Sequence, residues 1–420
     1  MMGERSKTII VIGGGAIGVC SAYYLHQKGY RVILLEKDTI AAGSSFGNAG
    51  FITPSHFIPL PSPGIIKKGL RWMLNPESPF YIKPRADRDL LSWLWKFRGY
   101  ATSEHLHKTM RYLRDINLAS RELYRKIAME TELDFGLQTL GLLMLYTTEV
   151  GAKECHEMAT LAREIDEPAE LLEPQQIRKL DPGLENRAAG GLYFPNDAHL
   201  NPAAFVTGLA EYLQKRGVEV YTGTPVTDFV IENHTVVGVK TPEKDYRCDE
   251  VILANGAWAP LLSKKLGIHL PIQPAKGYSV TIPQPTNPQK IPLILTEAKV
   301  AITPLGDSIR FGGTLELSGI DSQINPRRVN AILKAVPRYI GQFDQLQVDP
   351  MTAWSGMRPC TPDGLPIISR TSKISNLIIA AGHAMIGISL APFTGELVAR
   401  IVSGEASPSE IAPLRLERFA

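Results

Sequence analysis

Two short apolar runs, with a glycine turn and a helix between them, open the chain. The runs predict strands at Thr8–Ile12 and Arg31–Glu36, and the stretch from about Ala16 to Lys28 predicts the helix. Because a helical crossover returns the second strand beside the first, this pattern predicts a βαβ unit with parallel strands.

From about Pro54 the pattern changes to a stretch broken by prolines and rich in aromatic residues. Long helical periodicity follows, in which one face recurs at spacings of three and four: Leu106, Met110, Leu113, Ser120, Leu123 and Ile127. The segments GLLMLYT and GGLYFP then predict strands. This part of the chain therefore mixes helices and strands without the regular βαβ order.

The α/β pattern returns near Asn201 with an amphipathic helix that has Pro202 in its first turn and ends at Gly217. Strands are predicted at VEVYTG, VVGVKT and EVILANGAW. A β-rich block from about Pro271 to Phe311 and a helix from about Pro326 to Tyr339 follow, before a final strand, loop and helix. The order predicts two discontinuous domains, with the chain crossing between them several times.

Composition places the chain among ordinary globular proteins. Its 420 residues suit two domains, and it has 44% hydrophobic and 21% charged residues. The net charge of +3 is small, so it does not support nucleic-acid binding. The four cysteines lie far apart with no C-x-x-C pair, which argues against a disulfide framework or a thiolate metal site.

The N-terminal segment MMGERSK leads directly into a strand, so no secretory leader is expected. No apolar run approaches the roughly 20 residues needed to span a bilayer. We therefore expect a cytoplasmic protein, either free or resting on the inner face of the cell membrane.

The glycine turn after the first strand has the spacing G-x-G-x-x-G at Gly13, Gly15 and Gly18. This spacing allows a tight turn, a close backbone approach to a pyrophosphate, and close packing of helix on strand. Glu36 ends the second strand, where a carboxylate accepts hydrogen bonds from ribose hydroxyls and repels a 2′-phosphate. The pattern predicts a dinucleotide site for FAD or NAD and argues against NADP.

Two further segments favour FAD over NAD. The irregular stretch GSSFGNAGFITPSHFIPLPSPG follows the second strand, and its small residues let backbone N–H groups approach a large ring. Near the C-terminus a strand at Leu377–Ala381 leads through a loop from Gly382 to Gly387 into a helix beginning near Ser389. The positive end of that helix would stabilise a reduced flavin ring.

Together these motifs resemble the D-amino-acid oxidase-type FAD oxidoreductases, and are most similar to the bacterial D-amino-acid dehydrogenase branch. The motifs keep their order along the whole chain: VIGGGAIG, GSSFGNAG, VILANGAW, KGYSVT, RFGGTLE, GMRPCTPDGLPII and AAGHAMIGISLAP. The stretch PSPGIIKKGLRWMLNPESPFYIKP resembles that branch in particular.

The resemblance implies an α/β fold with a Rossmann-like FAD-binding domain and a second, α+β substrate domain built on a mixed sheet. The FAD-binding domain is expected at 1–55, 200–268 and 355–420, and the substrate domain at 56–199 and 269–354. The residues implied to bind FAD are Gly13, Gly15, Ala16, Ile17, Gly18, Glu36, Lys37, Ser44, Ser45, Asn48, Ala49, Gly50, Val226, Gly256, Trp258, Gly382, His383, Ile386, Gly387 and Ile388.

For the substrate, the resemblance implies an amine next to a carboxylate, and a guanidinium whose planar fork matches that carboxylate. Arg358 in SGMRPCTPDG is the candidate clamp. Tyr278 is a second candidate, with a tyrosine packed in the sheet as the alternative. His56 and His199 border the expected site, with solvated loop histidines as the alternative, and His383 is a candidate flavin neighbour.

Some members of the family tether the flavin through a cysteine near the arginine segment. The tethering position corresponds to Gly356, so we expect non-covalent FAD and a structural role for Cys360. No metal site is expected.

The segment Ile65–Tyr100 contains eight Lys or Arg, three Asp or Glu and seven aromatic residues. A basic and aromatic surface could rest on an anionic bilayer and pass electrons to a quinone, or experimentally to a dye. In the alternative, the aromatic residues pack into the substrate domain and the charges are solvated. A homodimer is one candidate for the oligomeric state.

The leading hypothesis is an FAD-dependent dehydrogenase of D-amino acids, with D-proline and hydroxyproline among the candidate substrates. An oxygen-using oxidase of glycine, sarcosine or D-amino acids is the nearest alternative. A flavoprotein subunit of a hetero-oligomeric amine dehydrogenase and a plain NAD dehydrogenase are the others.

Overall fold

A computed structural model describes residues 7–73, 75, 77–285 and 287–420. The remaining residues belong to the N-terminal segment, the basic stretch and the β-rich block of the sequence, and they lie outside this description.

The strands run in chain order as β1 (Thr8–Ile12), β2 (Arg31–Leu35), β3 (Phe51–Ile52), β4 (Phe80–Ile82), β5 (Leu142–Tyr146), β6 (Glu170–Leu172), β7 (Gly190–Phe194), β8 (Ala198–His199), β9 (Glu219–Tyr221), β10 (Asp228–Glu232), β11 (Thr235–Lys240), β12 (Asp245–Arg247), β13 (Glu250–Leu253), β14 (Gln273–Pro283), β15 (Leu293–Leu295), β16 (Val300–Leu305), β17 (Ser308–Leu317), β18 (Trp354–Cys360), β19 (Ile367–Arg370) and β20 (Leu377–Ala381). The α-helices are α1 (Ala16–Gln27), α2 (Ile65–Met73), α3 (Arg88–Tyr100), α4 (Ser103–Thr131), α5 (Glu149–Glu164), α6 (Pro174–Leu180), α7 (Pro202–Lys215), α8 (Ala259–Lys265), α9 (Pro326–Ala335), α10 (Ala391–Ser403) and α11 (Pro408–Ile411).

The first sheet has the order β19-β20-β13-β1-β2-β9. All its pairs are parallel except β19–β20, and Ile10 of β1 lies beside Ile33 of β2. The strands β1 and β13 are buried along their lengths because layers pack on both sheet faces. This arrangement confirms the predicted βαβ unit and the Rossmann-like α/β domain.

The second sheet is mixed and has the order β18-β14-β17-β16-β15-β5-β7-β6, with β4 also beside β17. Its β15–β5 and β4–β17 pairs are parallel, whereas its other pairs are antiparallel. One face packs on α9 through a core that includes Val280, Phe311 and Ile332. The predicted mixed sheet is thus confirmed.

Two segments depart from the predicted division into domains. β18 falls within 355–420 almost entirely, yet it pairs with β14 in the second sheet, where its backbone hydrogen bonds are satisfied. α4 falls within 56–199, but Leu113, Ile116 and Ile127 pack into the same core as β1. The domain boundaries themselves stay a prediction.

The ends of two helices differ slightly from the expectation. α9 stops at Ala335 and continues as a 3₁₀ turn at Val336–Arg338, because Pro337 has no N–H to extend the α-helical ladder. α10 begins at Ala391, so Ser389 lies in the preceding loop. Across the described part of the chain, helices of sufficient length and apolarity to span a bilayer are absent.

The predicted long helix α4 is tied to the C-terminal loop by buried hydrogen bonds. The Tyr124 hydroxyl donates to the Ile388 carbonyl at 2.6 Å, and the Ser389 hydroxyl donates to Asn117 Oδ1 at 2.5 Å. Ser389 also accepts a hydrogen bond from the Thr53 N–H at 2.9 Å. These contacts bring three distant parts of the chain together at one point.

We expect Tyr124→Phe to lower the free energy of unfolding by about 0.5–1.5 kcal/mol, because it removes one of the two hydrogen bonds to the buried Ile388 carbonyl, which still accepts from the Ala391 N–H at 3.2 Å. Urea denaturation monitored by circular dichroism measures the change. Tyr30→Phe is the matched control, since the Tyr30 hydroxyl has no hydrogen-bond partner among the described residues. Equal stability of the two variants would contradict a stabilising hydrogen bond from Tyr124 to the Ile388 carbonyl.

Candidate active site

The glycine turn after β1 is packed too tightly for side chains. The Gly13 N–H donates to the Leu35 carbonyl at 2.9 Å, and Gly13 has a φ of +114°. A Cβ on Gly18 would lie 1.8 Å from the Gly13 carbonyl oxygen, and one on Gly13 would lie 2.7 Å from that of Ala254. The turn therefore brings bare backbone to the N-terminus of α1, as a pyrophosphate requires.

Glu36 lies at this turn. Its Oε2 accepts a hydrogen bond from the Gly14 N–H at 2.6 Å, and its Oε1 accepts from the Asp38 N–H at 2.9 Å. The neighbouring Lys37 ammonium lies 4.7 Å from the centre of the Trp258 ring. The carboxylate is thus oriented by backbone donors at the end of β2, which fits the predicted ribose contact.

The irregular loop after β2 is held by the second sheet. Hydrogen bonds from that sheet reach the carbonyls of consecutive loop residues: Ser279 Oγ to Gly47 (2.8 Å), Thr303 Oγ1 to Ala49 (2.6 Å), and Arg310 Nη1 to Asn48 (2.6 Å) and Phe46 (3.0 Å). The sequence analysis missed these donors. Their only sequence signal is a polar residue on the inward side of each strand.

Side chains of the same loop form hydrogen bonds with backbone groups of the protein. Asn48 Oδ1 accepts from the Gly50 N–H at 2.8 Å, and the Ser44 hydroxyl donates to the Met357 carbonyl at 2.5 Å. The Ser45 hydroxyl accepts from the Ala16 N–H at 3.0 Å, which joins the loop to the first turn of α1. These hydrogen bonds fix the conformation of the loop. The contact between the loop and the flavin stays a prediction, and the position of the loop in the cavity wall is its structural support.

A cavity of about 910 Å³ runs between the two sheets. Its lining includes the glycine turn and Glu36, and also His56, Trp354 and Arg358. This volume is near the upper end for ligand pockets, as a dinucleotide together with a small substrate requires. The bare glycine backbone and the small residues of its wall fit FAD.

Most residues predicted to bind FAD line this cavity, including Val226, Gly256, Trp258, Ile386, Gly387 and Ile388. Three of the predicted residues, Gly18, Gly50 and Gly382, are absent from the cavity lining. Their lack of a side chain allows neighbouring parts of the protein to approach closely. A Cβ on Gly50 would lie 2.1 Å from the Leu200 carbonyl oxygen, and one on Gly382 would lie 2.6 Å from Thr361 Cγ2. All three glycines thus allow close packing behind the cavity wall.

Arg358 projects from β18 with little to satisfy its charge. Its Nη1 donates to the Thr314 carbonyl at 2.7 Å, and carboxylate partners are absent among the described residues. Burial lowers the pKa of the guanidinium, which is still a cation at neutral pH. A largely enclosed cation without a counter-ion is a site for a carboxylate.

Tyr278 lies on the other face of the sheet from Arg358. Side chains alternate along β14, so Gly277 and Ser279 face the cavity while Tyr278 packs in the core beneath α9. Its hydroxyl donates to Glu316 Oε2 at 3.0 Å, although the residue also contributes to the cavity wall. This geometry contradicts the prediction of a second carboxylate clamp and matches the alternative of a tyrosine packed in the sheet.

The histidines differ in their positions. His56 lines the cavity, and burial lowers its pKa to about 4. His383 also lines the cavity, but its Nε2 bonds to Thr394 Oγ1 at 2.9 Å, and burial lowers its pKa to about 3. His199 is buried in β8 away from the lining, with its Nδ1 unpaired among the described residues.

Trp354 is a wall of the cavity that sequence reasoning missed. A Cβ on Gly47 would lie 2.1 Å from its ring, and one on Gly356 would lie 2.0 Å from it. The Trp354 ring therefore packs directly against two glycines, Gly47 in the loop after β2 and Gly356 in β18. The position predicted to correspond to the flavin tether is thus a bare glycine beneath Trp354.

Cys360 is buried and its pKa is raised to about 12 by that burial. Its carbonyl accepts a hydrogen bond from Trp93 Nε1 at 2.9 Å. At neutral pH the side chain is therefore a neutral thiol, and the reactive thiolate is scarce. This agrees with the predicted structural role of Cys360. Non-covalent attachment of FAD stays a prediction.

Known proteins resemble this chain over nearly its whole length. The family described as "FAD dependent oxidoreductase" matches residues 8–401. The D-amino acid dehydrogenase of Allorhizobium ampelinum is 34% identical over 424 residues, covering 98% of each chain. That of Rhizorhabdus wittichii is 32% identical, covering 98% of this chain and all of the relative.

Among solved structures, the glycine oxidase of Geobacillus kaustophilus superimposes with a TM-score of 0.78 at 25% identity, covering 98% of this chain and 99% of that one. The L-proline dehydrogenase of P. horikoshii has a TM-score of 0.75 at 22% identity, with 99% and 98% covered, and shares the fold. The chain belongs to the DAO family of FAD-dependent oxidoreductases, and it is a flavoprotein that acts on amino acids.

Gly277→Ala should displace the guanidinium of Arg358, the candidate clamp, because the added Cβ would lie 2.0 Å from Arg358 Nη1. We expect amino-acid affinity to fall by roughly tenfold or more, as for the loss of a charge-assisted hydrogen bond, while FAD content is retained. Anaerobic titration of the flavin absorbance measures the affinity.

Gly99→Ala is the control, since a Cβ there meets no atom of the described residues within 4 Å. Unchanged affinity in Gly277→Ala would show that Arg358 does not bind the substrate.

Proposed function

We propose that this protein oxidises D-amino acids and passes the electrons to a quinone. The observation that carries the proposal is Arg358, an enclosed cation lacking a carboxylate partner among the described residues, in the same cavity as the FAD-binding turn. A guanidinium in this position holds an α-carboxylate by two parallel hydrogen bonds.

When bound, FAD supplies an acceptor for the two electrons and the hydrogen of the substrate Cα–H bond. The residues of this chain position that bond. Arg358 fixes the carboxylate, Trp354 closes one side, and the loop after β2 is held rigid by the second sheet. Rigid positioning of this kind supplies much of the rate in such reactions.

The relatives named above support D-amino acids as the substrate class. A second candidate is an oxidase of glycine or sarcosine, favoured by the likeness to the glycine oxidase of Geobacillus kaustophilus. The two differ in acceptor, since the oxidase would form hydrogen peroxide in proportion to the amino acid consumed. D-proline and hydroxyproline remain within the proposed range.

The surface made by α2 and α3 supports a membrane-borne acceptor. Leu70 and Leu91 are each 63% exposed and Trp95 is 73% exposed. Exposed basic residues surround them: Lys67, Lys68, Arg71, Arg88 and Arg98. Trp93, in contrast, is buried, so only part of the predicted aromatic surface faces solvent.

The same surface borders the cavity. Ile66 and Leu70 of α2 and Phe97 of α3 belong both to these helices and to the cavity lining. An apolar quinone could therefore move from a bilayer to the cavity without crossing water. We propose that α2 and α3 rest on the anionic inner face of the cell membrane.

The substrate assignment predicts that D-amino acids bleach the yellow enzyme anaerobically, whereas their L-isomers do not. Arg358→Met should weaken binding by about 100-fold, because a carboxylate would lose its buried charged partner. The decarboxylated amine of the best substrate is the control and should be insensitive to this substitution. If no amino acid or hydroxyproline isomer bleaches the flavin, the proposal is wrong.

The membrane assignment predicts that the enzyme sediments with vesicles containing phosphatidylserine at low salt. Replacing Leu70 and Trp95 by Ser should lower the bound fraction at least about fivefold, because the exposed apolar area is lost. Met129→Ser, at a 72% exposed residue on α4, should have no effect. Equal binding by all three proteins would exclude α2 and α3 as the contact.

A further inference from the structure

Asp197 is a buried carboxyl group that forms no ion pair with the residues that the structure describes. It is fully buried in the turn between β7 and β8. Its Oδ1 accepts from the Ser55 N–H at 3.1 Å, and the Ser55 hydroxyl donates to its Oδ2 at 2.5 Å. An unpaired buried carboxylate is costly, so it needs an explanation.

The carboxyl group is connected to the cavity through neighbouring side chains. His56 Nδ1 lies 3.3 Å from the Ser55 hydroxyl oxygen. Both Ser55 and His56 line the cavity, whereas Asp197 lies behind them. Imidazole, hydroxyl and carboxyl thus form a continuous hydrogen-bonded chain from the cavity into the protein interior.

Oxidation of an amino acid requires that the substrate nitrogen first lose a proton. At neutral pH the substrate nitrogen is an ammonium group, whose lone pair is occupied by a proton. The Cα–H bond can transfer its hydrogen and electron pair only when that lone pair is free to form the C=N bond. One proton must therefore leave the nitrogen for each substrate oxidised, and a base of the protein can accept it.

We propose that His56, Ser55 and Asp197 form a relay that accepts the ammonium proton of the bound substrate. The proton passes from nitrogen to His56 Nε2, the Nδ1 proton passes to the Ser55 oxygen, and the Ser55 proton passes to Asp197 Oδ2. The amine leaves this step neutral and Asp197 becomes a carboxylic acid. The inference rests on the proposed function, since it assigns a role within that same site.

The electrostatics of the site agree with this direction of transfer. Burial raises the pKa of Asp197 well above its ordinary value, so the acid form is favoured once the proton arrives. The two hydrogen bonds from Ser55 oppose that shift and stabilise the carboxylate beforehand. Of the nearby charges, Glu167 raises the pKa of Asp197 and Arg121 lowers it.

His56 is suited to pass the proton on. Burial lowers its pKa to about 4, so its ring is neutral at pH 7 and does not retain the proton. The remaining charged side chains that line the cavity are Glu36, Lys37, Asp38, Arg98, Glu154, Lys299 and Arg358. Of these, Glu154 is already paired with Lys68 and Lys299.

Asp197→Asn tests the relay because asparagine keeps the shape and one acceptor oxygen, whereas its amide nitrogen only donates and the side chain cannot take up a proton. We expect the anaerobic bleaching rate at saturating substrate to fall about 100-fold at pH 7. It should then rise about tenfold per pH unit toward the pKa of the substrate amine, where the substrate arrives neutral. Ser55→Ala should give the same profile, whereas the wild-type rate should change little across this range.

Ser263→Ala, which removes a buried hydroxyl on α8 outside the cavity lining, is the control and should keep the wild-type profile. FAD content and melting temperature report whether each variant folds. A second readout needs no turnover: infrared difference spectra recorded on binding the Cα-methylated analogue of the best substrate. The wild type should gain the band of a protonated carboxyl group, and Asp197→Asn should lack it.

A wild-type pH profile in a folded Asp197→Asn enzyme would overturn the relay and leave the amino-acid oxidoreductase intact. An enzyme that no amino acid bleaches would instead overturn the proposed function. A rate that falls in Asp197→Asn equally at every pH would assign Asp197 a purely structural role in holding the loop, and would also overturn the relay.

Discussion

The loop after β2 is held by the second sheet, and the cavity depends on that attachment. Its carbonyls at Phe46–Ala49 point into the protein, where each unpaired group would cost about 1–3 kcal/mol. Ser279, Thr303 and Arg310 satisfy them from three different strands. The cavity wall that this loop forms therefore takes its shape only when both sheets are assembled.

Two arginines of the second sheet differ in how much of their hydrogen-bonding capacity the protein uses. Both project from strands of the second sheet, and ion pairs to either are absent among the described residues. Arg310 is occupied by two carbonyls and the Thr281 hydroxyl, and burial lowers its pKa to about 10, so it remains charged at neutral pH. Arg358 donates to one carbonyl among the described residues, which leaves most of its N–H groups without a protein acceptor there.

Sequence reasoning succeeded where the determinants are local. The turn from Gly13 to Gly18 and the parallel strands around it follow from short motifs, because a few consecutive residues specify a tight turn or a strand. It was wrong about Tyr278, because the motif KGYSVT does not reveal which residues face the cavity. It missed Trp354 and Arg310, whose roles arise from contacts with a loop more than 250 residues away.

By itself, the sequence determined the βαβ unit, the dinucleotide turn and the family to which the chain belongs, since these depend on spacing within short segments. Only the tertiary structure decided which side of the second sheet faces the cofactor, and that Ser55 and His56 meet Asp197. Those relations depend on strand register and on the folding of distant loops against one another. A one-residue change in the register of a strand would turn its cavity-facing side chains to the opposite face of the sheet, because alternate side chains of a strand point to opposite faces.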